Sequence, residues 1–197
     1  MSDYRLIFDT ETSGLPYRTR AEGYTYTNLD HFKDARLLSI SWIILDNNNN
    51  IVSKDTYYII PDNFEISADS IKIHGLTKEF LVENGITIYE LLSNLNGLFE
   101  KYNITLLIAH NISFDINILK SELYRYKYNL TLEKIKNIPT FCTMFVSQSK
   151  MKVKKWPKLA DAYKYYYNEE ITNAHNAESD TFHCYKVYLK LSELLNN

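Results

Sequence analysis

The sequence predicts an α/β fold, a mixed β-sheet flanked by α-helices. Three observations carry this. Apolar, β-branched runs fill much of the first 60 residues and bracket the tract Asn47–Asn50. From residue 88 the apolar period lengthens from two to nearly four. Beyond that point helical and strand patterns alternate. In chain order, Tyr4–Asp9 reads as the first strand. Gly14 to about Asp34, polar and punctuated by Gly and Pro, reads as a long loop, a length usually tied to function. Leu37–Leu45 and Ile51–Ile60 read as a hairpin turning at Asn47–Asn50. Ile88, Leu91, Leu92, Leu95, Leu98 and Phe99 mark an amphipathic helix, and Thr105–Ala109 a buried strand. Phe114 to about Tyr128 reads as a helix with Ser113 as N-cap and Ile118, Leu119, Leu123 and Tyr126 on one side. A short strand near Phe141 follows Pro139, and Leu159–Tyr167 reads as a helix after Pro157. The last helix, about Asn176–Leu195, carries Cys184, Val187, Leu191 and Leu194 on one stripe.

The chain has 197 residues, 45% hydrophobic and 23% charged, which suits a single domain over 1–197 with a real core. Its 22 basic and 24 acidic residues leave a net charge of −2. The composition argues against a disordered chain, and the balance against a strongly basic, non-specific nucleic-acid binder. It leaves room for an enzyme that brings metal ions to a phosphodiester. Cys142 and Cys184 are too few for a disulfide framework and read as reduced thiols. The N-terminus shows no signal peptide, and no apolar run approaches the roughly 20 residues that span a bilayer. A soluble, intracellular protein with no membrane contact is expected.

The acids fall in a pattern. Asp9 and Glu11 lie two apart at a strand end and point the same way. His110-Asn111-Ile112-Ser113-Phe114-Asp115 follows a buried strand and opens a helix, with Asp115 on its inward stripe. His175-Asn176-Ala177-Glu178-Ser179-Asp180 opens the last helix, with Asp180 heading its stripe. With five His and 11 Asp, His-x₄-Asp should arise about 0.3 times by chance, and it occurs twice. Four inward carboxylates without a cation would repel one another. Oxygen-only ligation selects Mg²⁺ or Mn²⁺ rather than zinc. Two such ions, about 3.5–4 Å apart, form the clamp used for in-line displacement at phosphorus. A histidine near neutral pKa supplies a general base.

Asp9-x-Glu11, His110-Asn111-x-x-Phe114-Asp115 and His175-x₄-Asp180, in this order, resemble the three motifs of the DEDDh 3′–5′ exonucleases. Thr12-Ser13-Gly14-Leu15 and Ile73-His74-Gly75-Leu76-Thr77 add to the likeness, although Ser13 stands where the family often has Thr and the loop after Pro16 is longer than in compact members. The resemblance implies a ribonuclease H-like fold: a mixed five-stranded sheet whose first three strands form an antiparallel meander, flanked by helices. It implies two divalent metal ions, Mg²⁺ or Mn²⁺. Asp9 would bridge both, Glu11 and Asp180 would complete the catalytic ion, and Asp115 would hold the second. His175 would deprotonate the attacking water. Leu15, Ile73, His74 and Phe114 match positions that wall the pocket for the terminal nucleotide, and backbone near Thr12 would meet the 3′-OH. His110 and Asn111 are candidate substrate contacts, His110 equally a helix-capping residue; for His74 the nucleotide contact is favoured over a core histidine.

The reaction so implied is hydrolysis of terminal phosphodiesters of single-stranded DNA, or of frayed DNA 3′ ends, to nucleoside 5′-monophosphates in proofreading or repair. The alternatives are a 3′–5′ exoribonuclease or oligoribonuclease, and a non-catalytic nucleic-acid-binding module. A polymerase partner or a homodimer is compatible with the sequence, which leaves little chain after the last helix for a tether. Lys150, Lys152, Lys154, Lys155 and Lys158 around Trp156, with Arg18 and Arg20 in the long loop, suit a phosphate-backbone track as well as a solvated loop.

Overall fold

The structure is a computed structural model that describes residues 2–17, 25–171 and 175–196. Arg18 and Arg20 lie outside the described residues. Five strands, β1 (Asp3–Thr12), β2 (Leu37–Leu45), β3 (Ile51–Tyr58), β4 (Asn103–Ala109) and β5 (Thr140–Cys142), form one sheet in the order β3-β2-β1-β4-β5. β1, β2 and β3 pair antiparallel, and β4 and β5 add in parallel. This is the expected mixed sheet. Its hairpin turns at the asparagine tract. The Asp46 carboxylate accepts from the Asn48 and Asn50 N–H groups, each at 2.8 Å, and Asn49 adopts φ 64°, which Asn tolerates better than most residues. β3 stops at Tyr58, and Ile59 makes an isolated bridge to Ile86.

Among the described residues eight helices flank the sheet: α1 (Ala68–His74), α2 (Lys78–Asn84), α3 (Ile88–Lys101), α4 (Ile112–Arg125), α5 (Asn129–Asn137), α6 (Thr143–Met151), α7 (Leu159–Tyr167) and α8 (Ala177–Asn196). Leu6, Phe8, Ile40, Trp42 and Ile44 face one core with α3, α4 and α5, which contribute Leu91, Leu95, Ile118, Leu119, Leu123 and Ile135. Ile7, Ile43, Leu45 and Ile108 face the other way, onto Cys184 and Tyr188 of α8. α7 packs on α8 through Ala162 and Tyr163 against Val187 and Leu191. Every residue of β2 is buried, because both faces are covered.

Three sequence expectations are corrected. α4 begins at Ile112, with Asn111 as N-cap at φ 66°, so Ser113 lies inside the first turn and its carbonyl accepts from Asn117 Nδ2. Leu194 is exposed, because the last turn of α8 runs past the body it packs on. Lys150 lies in the last turn of α6 and Lys152 caps it at φ 56°, so the basic run is only partly loop. α1, α2, α5 and α6 were not visible in the periodicity. α1 buries no side chain fully and α2 only Leu81, so neither writes a stripe. No helix of the described residues is long and apolar enough to cross a membrane.

Candidate active site

Strand alternation sends Asp9 and Glu11 to the α8 side of β1 and Thr10 to the α4 side. The β1–β2 register shifts between Glu11 and Thr12, just past the second acid. α8 starts under these side chains. Its entry is fixed by Asn176, whose Oδ1 accepts from the Glu178 and Ser179 N–H groups at 3.1 and 3.2 Å. Asp180 follows within the first turn. Carboxylate oxygens of Asp9, Glu11 and Asp180 lie within 4.8 Å of one another. Asp115 comes from the opposite layer. Its Oδ1 accepts from the Thr10 N–H at 3.0 Å and the Thr10 hydroxyl at 2.7 Å. Asp115 stands outside the group of three but raises the pKa of both Asp9 and Glu11.

These carboxyls resist ionisation. Burial, then Asp115, Glu11 and Asp180, holds Asp9 well above the usual carboxylate range. Glu11 is pushed up to about 8, by burial first and then by Asp180 and Asp115. Burial pushes Asp115 up to about 7 in spite of its two bonds from Thr10. Asp180 is raised by burial, an effect softened by the His175 N–H that donates to its Oδ2 at 3.0 Å. None of the four acids forms an ion pair among the described residues. An oxygen-only cluster that opposes its own ionisation fits a hard divalent cation such as Mg²⁺ or Mn²⁺. His175 sits beside it with an exposed side chain and φ 65°.

A cleft of about 580 Å³ opens next to Glu11 and is lined by Thr12, Leu15, Ile73, His74 and Phe114, among others. Leu15 is 79% and Ile73 57% exposed, an unusual state for large apolar side chains so close together. The Leu76 N–H donates to His74 Nδ1 at 3.0 Å, so the Nε2–H donates to the Thr12 carbonyl at 3.2 Å. Burial lowers the His74 pKa, which keeps this tautomer neutral. Ser13 anchors the cleft floor. Its N–H donates to the Arg36 carbonyl (2.9 Å), its hydroxyl to the Asp34 carbonyl (2.9 Å), and its carbonyl accepts from Ser67 (2.8 Å). A Cβ at Gly14 would lie 2.5 Å from the Asp34 carbonyl oxygen, so only glycine fits.

The exonuclease family model, RNase_T, matches residues 6–188. The chain belongs to this exonuclease family. It is 27% identical over 192 residues to the DNA polymerase III subunit epsilon of Buchnera aphidicola subsp. Acyrthosiphon pisum, a match covering 95% of this chain and 72% of that one. It is 26% identical over 196 residues to the exodeoxyribonuclease I of Buchnera aphidicola subsp. Schizaphis graminum, covering 90% of this chain and 37% of the relative. Its fold matches that of E. coli exonuclease I solved with single-stranded DNA, at a TM-score of 0.71 and 16% identity over 99% of this chain. The chain spans 41% of that exonuclease I chain.

The predicted site residues divide three ways. Asp9, Glu11, Asp115, Asp180 and His175 converge at one end of the sheet, and Thr12, Leu15, Ile73, His74 and Phe114 line the adjoining cleft. His110 and Asn111 do not line it. Both His110 ring nitrogens are engaged, Nδ1 with the Thr143 hydroxyl and Nε2 with the Pro157 carbonyl, each at 3.0 Å, and burial pushes its pKa down to about 4. Asn111 is an exposed left-handed cap whose carbonyl accepts from the Phe114 N–H at 2.8 Å. Sequence reasoning missed Thr10, the group that holds Asp115, although strand alternation between two acids already sent it to the opposite face. It also missed Ser13 as an anchor and Asn176 as the α8 cap.

Proposed function

We propose that the chain is a metal-dependent 3′–5′ exonuclease that hydrolyses terminal phosphodiesters of single-stranded DNA or frayed DNA 3′ ends to nucleoside 5′-monophosphates. The observation that carries this reading is the convergence of the Asp9, Glu11 and Asp180 carboxylates within 4.8 Å, backed by Asp115, beside an apolar cleft of about 580 Å³. That cleft suits one nucleoside. The likeness to proteins named as a polymerase III epsilon subunit and as an exodeoxyribonuclease supports DNA as the substrate.

Asp9, Glu11, Asp180 and Asp115 would hold two divalent ions, which when bound supply Lewis acidity to the phosphate and acidify a water. Thr10 keeps Asp115 in a single orientation, and the His175 backbone does the same for Asp180. The His175 imidazole takes the proton of the attacking water. Leu15, Ile73 and Phe114 hold the terminal nucleoside, while neutral His74 ties α1 to the strand end through Thr12. The test is a 5′-labelled DNA oligonucleotide and its RNA counterpart, each incubated with Mg²⁺, Mn²⁺ or EDTA. Stepwise shortening of DNA from the 3′ end, with metal only, is expected. No metal-dependent shortening of either strand overturns the enzymatic reading, and faster RNA turnover replaces the DNA assignment with an exoribonuclease.

A further inference from the structure

The cleft meets the terminal nucleoside with an acidic rim. Glu11, Asp34, Glu65 and Asp69 line it, and among the described residues no lysine or arginine does. Among the described residues, the cations that could meet a longer strand lie elsewhere. From Lys134 to Ala160 the sequence holds seven lysines and no acid, in a chain whose net charge is −2. Lys154, Lys155 and Lys158 are exposed and form no ion pair among the described residues. Between them stands Trp156, 62% exposed, its ring 5.5 Å from that of Phe145, which is 44% exposed.

The segment that carries these groups is held rather than loose. The Val153 N–H donates to the Gln148 carbonyl (3.2 Å), Gln148 Nε2 donates to the Lys154 carbonyl (3.0 Å), and His110 Nε2–H donates to the Pro157 carbonyl (3.0 Å). The last bond fixes the segment to the residue that follows β4, at the end of the sheet where Asp115 lies. A second depression, of about 560 Å³, opens here, with Ile112, Ile116 and Phe145 in its wall. The first turn of α4 divides the two cavities: Phe114 lines the acidic cleft and Ile112 the depression beside Phe145.

We propose that Trp156, Phe145, Lys154, Lys155 and Lys158 form a second binding site for single-stranded DNA, one that holds the strand upstream of the terminal nucleotide. This rests on the exonuclease reading above. The lysines meet phosphates, and the exposed aromatic pair offers bases a stacking face that a duplex would not present. His110, which touches neither cavity, is then a positioning residue that fixes the platform through Pro157.

The test compares hydrolysis of dT3 and dT20 in Mg²⁺ by the wild-type chain and by Lys154→Ala, Lys155→Ala and Trp156→Ala combined. The wild type is expected to show a KM for dT20 at least ~10-fold below that for dT3, as expected when stacking and phosphate contacts are added. The variant is expected to raise the dT20 KM to the dT3 level, with kcat on dT3 and the melting temperature unchanged. Its log KM for dT20 should depend on log salt with a slope lower by about 1.4, two phosphates' worth for a single strand. Equal KM for dT3 and dT20 in the wild type, or a variant that keeps the length dependence, overturns the second site and leaves the exonuclease reading standing. Hydrolysis of neither oligonucleotide overturns that reading itself.

Discussion

Asp9 and Asp180 show why a site residue can oppose stability. Each sits half-buried among other carboxyls, so removing one charge relieves repulsion in the metal-free protein. Asp9→Asn and Asp180→Asn are expected to lower turnover by more than about 10²-fold, the loss already common for a supporting residue at a metal site. Their melting temperatures in EDTA should equal or exceed that of the wild type. An asparagine variant that melts well below the wild type would instead mark a structural acid. His175→Ala acts on proton transfer alone and should cost about 10²–10⁴-fold in kcat with little change in KM. Thr10→Val removes a hydroxyl at 2.7 Å from Asp115. A metal titration by calorimetry should show about 10–100-fold weaker binding, because the carboxylate loses the group that orients it.

At the scale of elements, the end of β1 is held by its neighbours as well as by its ladder with β2, which runs on to Thr12 and Leu37. The start of β2 is tied to α4 by Arg36, whose Nε and Nη2 donate to the Glu122 carboxylate at 2.7 and 3.1 Å, in a site where Glu122 is almost fully buried. The Leu37 N–H and the Arg125 side chain reach the same carboxylate. Ser13 joins that junction to the cleft floor through the Arg36 backbone. Glu122→Ala leaves the Arg36 guanidinium poorly paired and should cost about 3–5 kcal/mol in urea unfolding, the penalty for breaking a buried pair. A loss under about 1 kcal/mol would mean that the junction is solvated. α1 and α2 are the elements the periodicity concealed. They were legible only through punctuation: Ser67 accepts from Ser70, Thr77 accepts from Phe80, and Gly75 at φ 74° ends α1. Helices of seven residues lie mostly on the surface and need no apolar stripe.

For the whole molecule, the acid cluster makes stability depend on pH and metal. Glu11 has its pKa raised from 4.5 to about 8 in the folded chain, so between those values the native state binds more protons than the unfolded one. Unfolding free energy therefore falls as pH rises through that window. Melts in EDTA from pH 5 to 8.5 should show a declining midpoint, and millimolar Mg²⁺ or Mn²⁺ should restore it most at the alkaline end, by mass action on the folded state. A flat profile in EDTA would show that the carboxyls are already compensated.

The sheet, the hairpin and the long helices were legible because each buries a face, and burial imposes a period on the residues that do it: Ile88 to Phe99 in α3, Leu37 to Leu45 in β2. The acids were legible because Asp115 and Asp180 interrupt such faces with charge that has no sequence neighbour to answer it. What the sequence by itself determined is therefore a mixed α/β sheet and a set of inward carboxylates that call for hard cations. The tertiary structure decided how those acids meet. Asp9, Glu11 and Asp180 share one face of the sheet while Asp115 enters from the opposite layer, held by the residue between the first two. It also decided that Leu15, Ile73 and Phe114 wall one cavity and that His110 reaches Pro157 rather than the cleft. The physical reason is that periodicity reports only which side of an element is buried. Contacts between residues far apart in the chain, such as Thr10 and Asp115 at a separation of 105, are set by sheet order and by which helix packs on which face, and no local pattern encodes these.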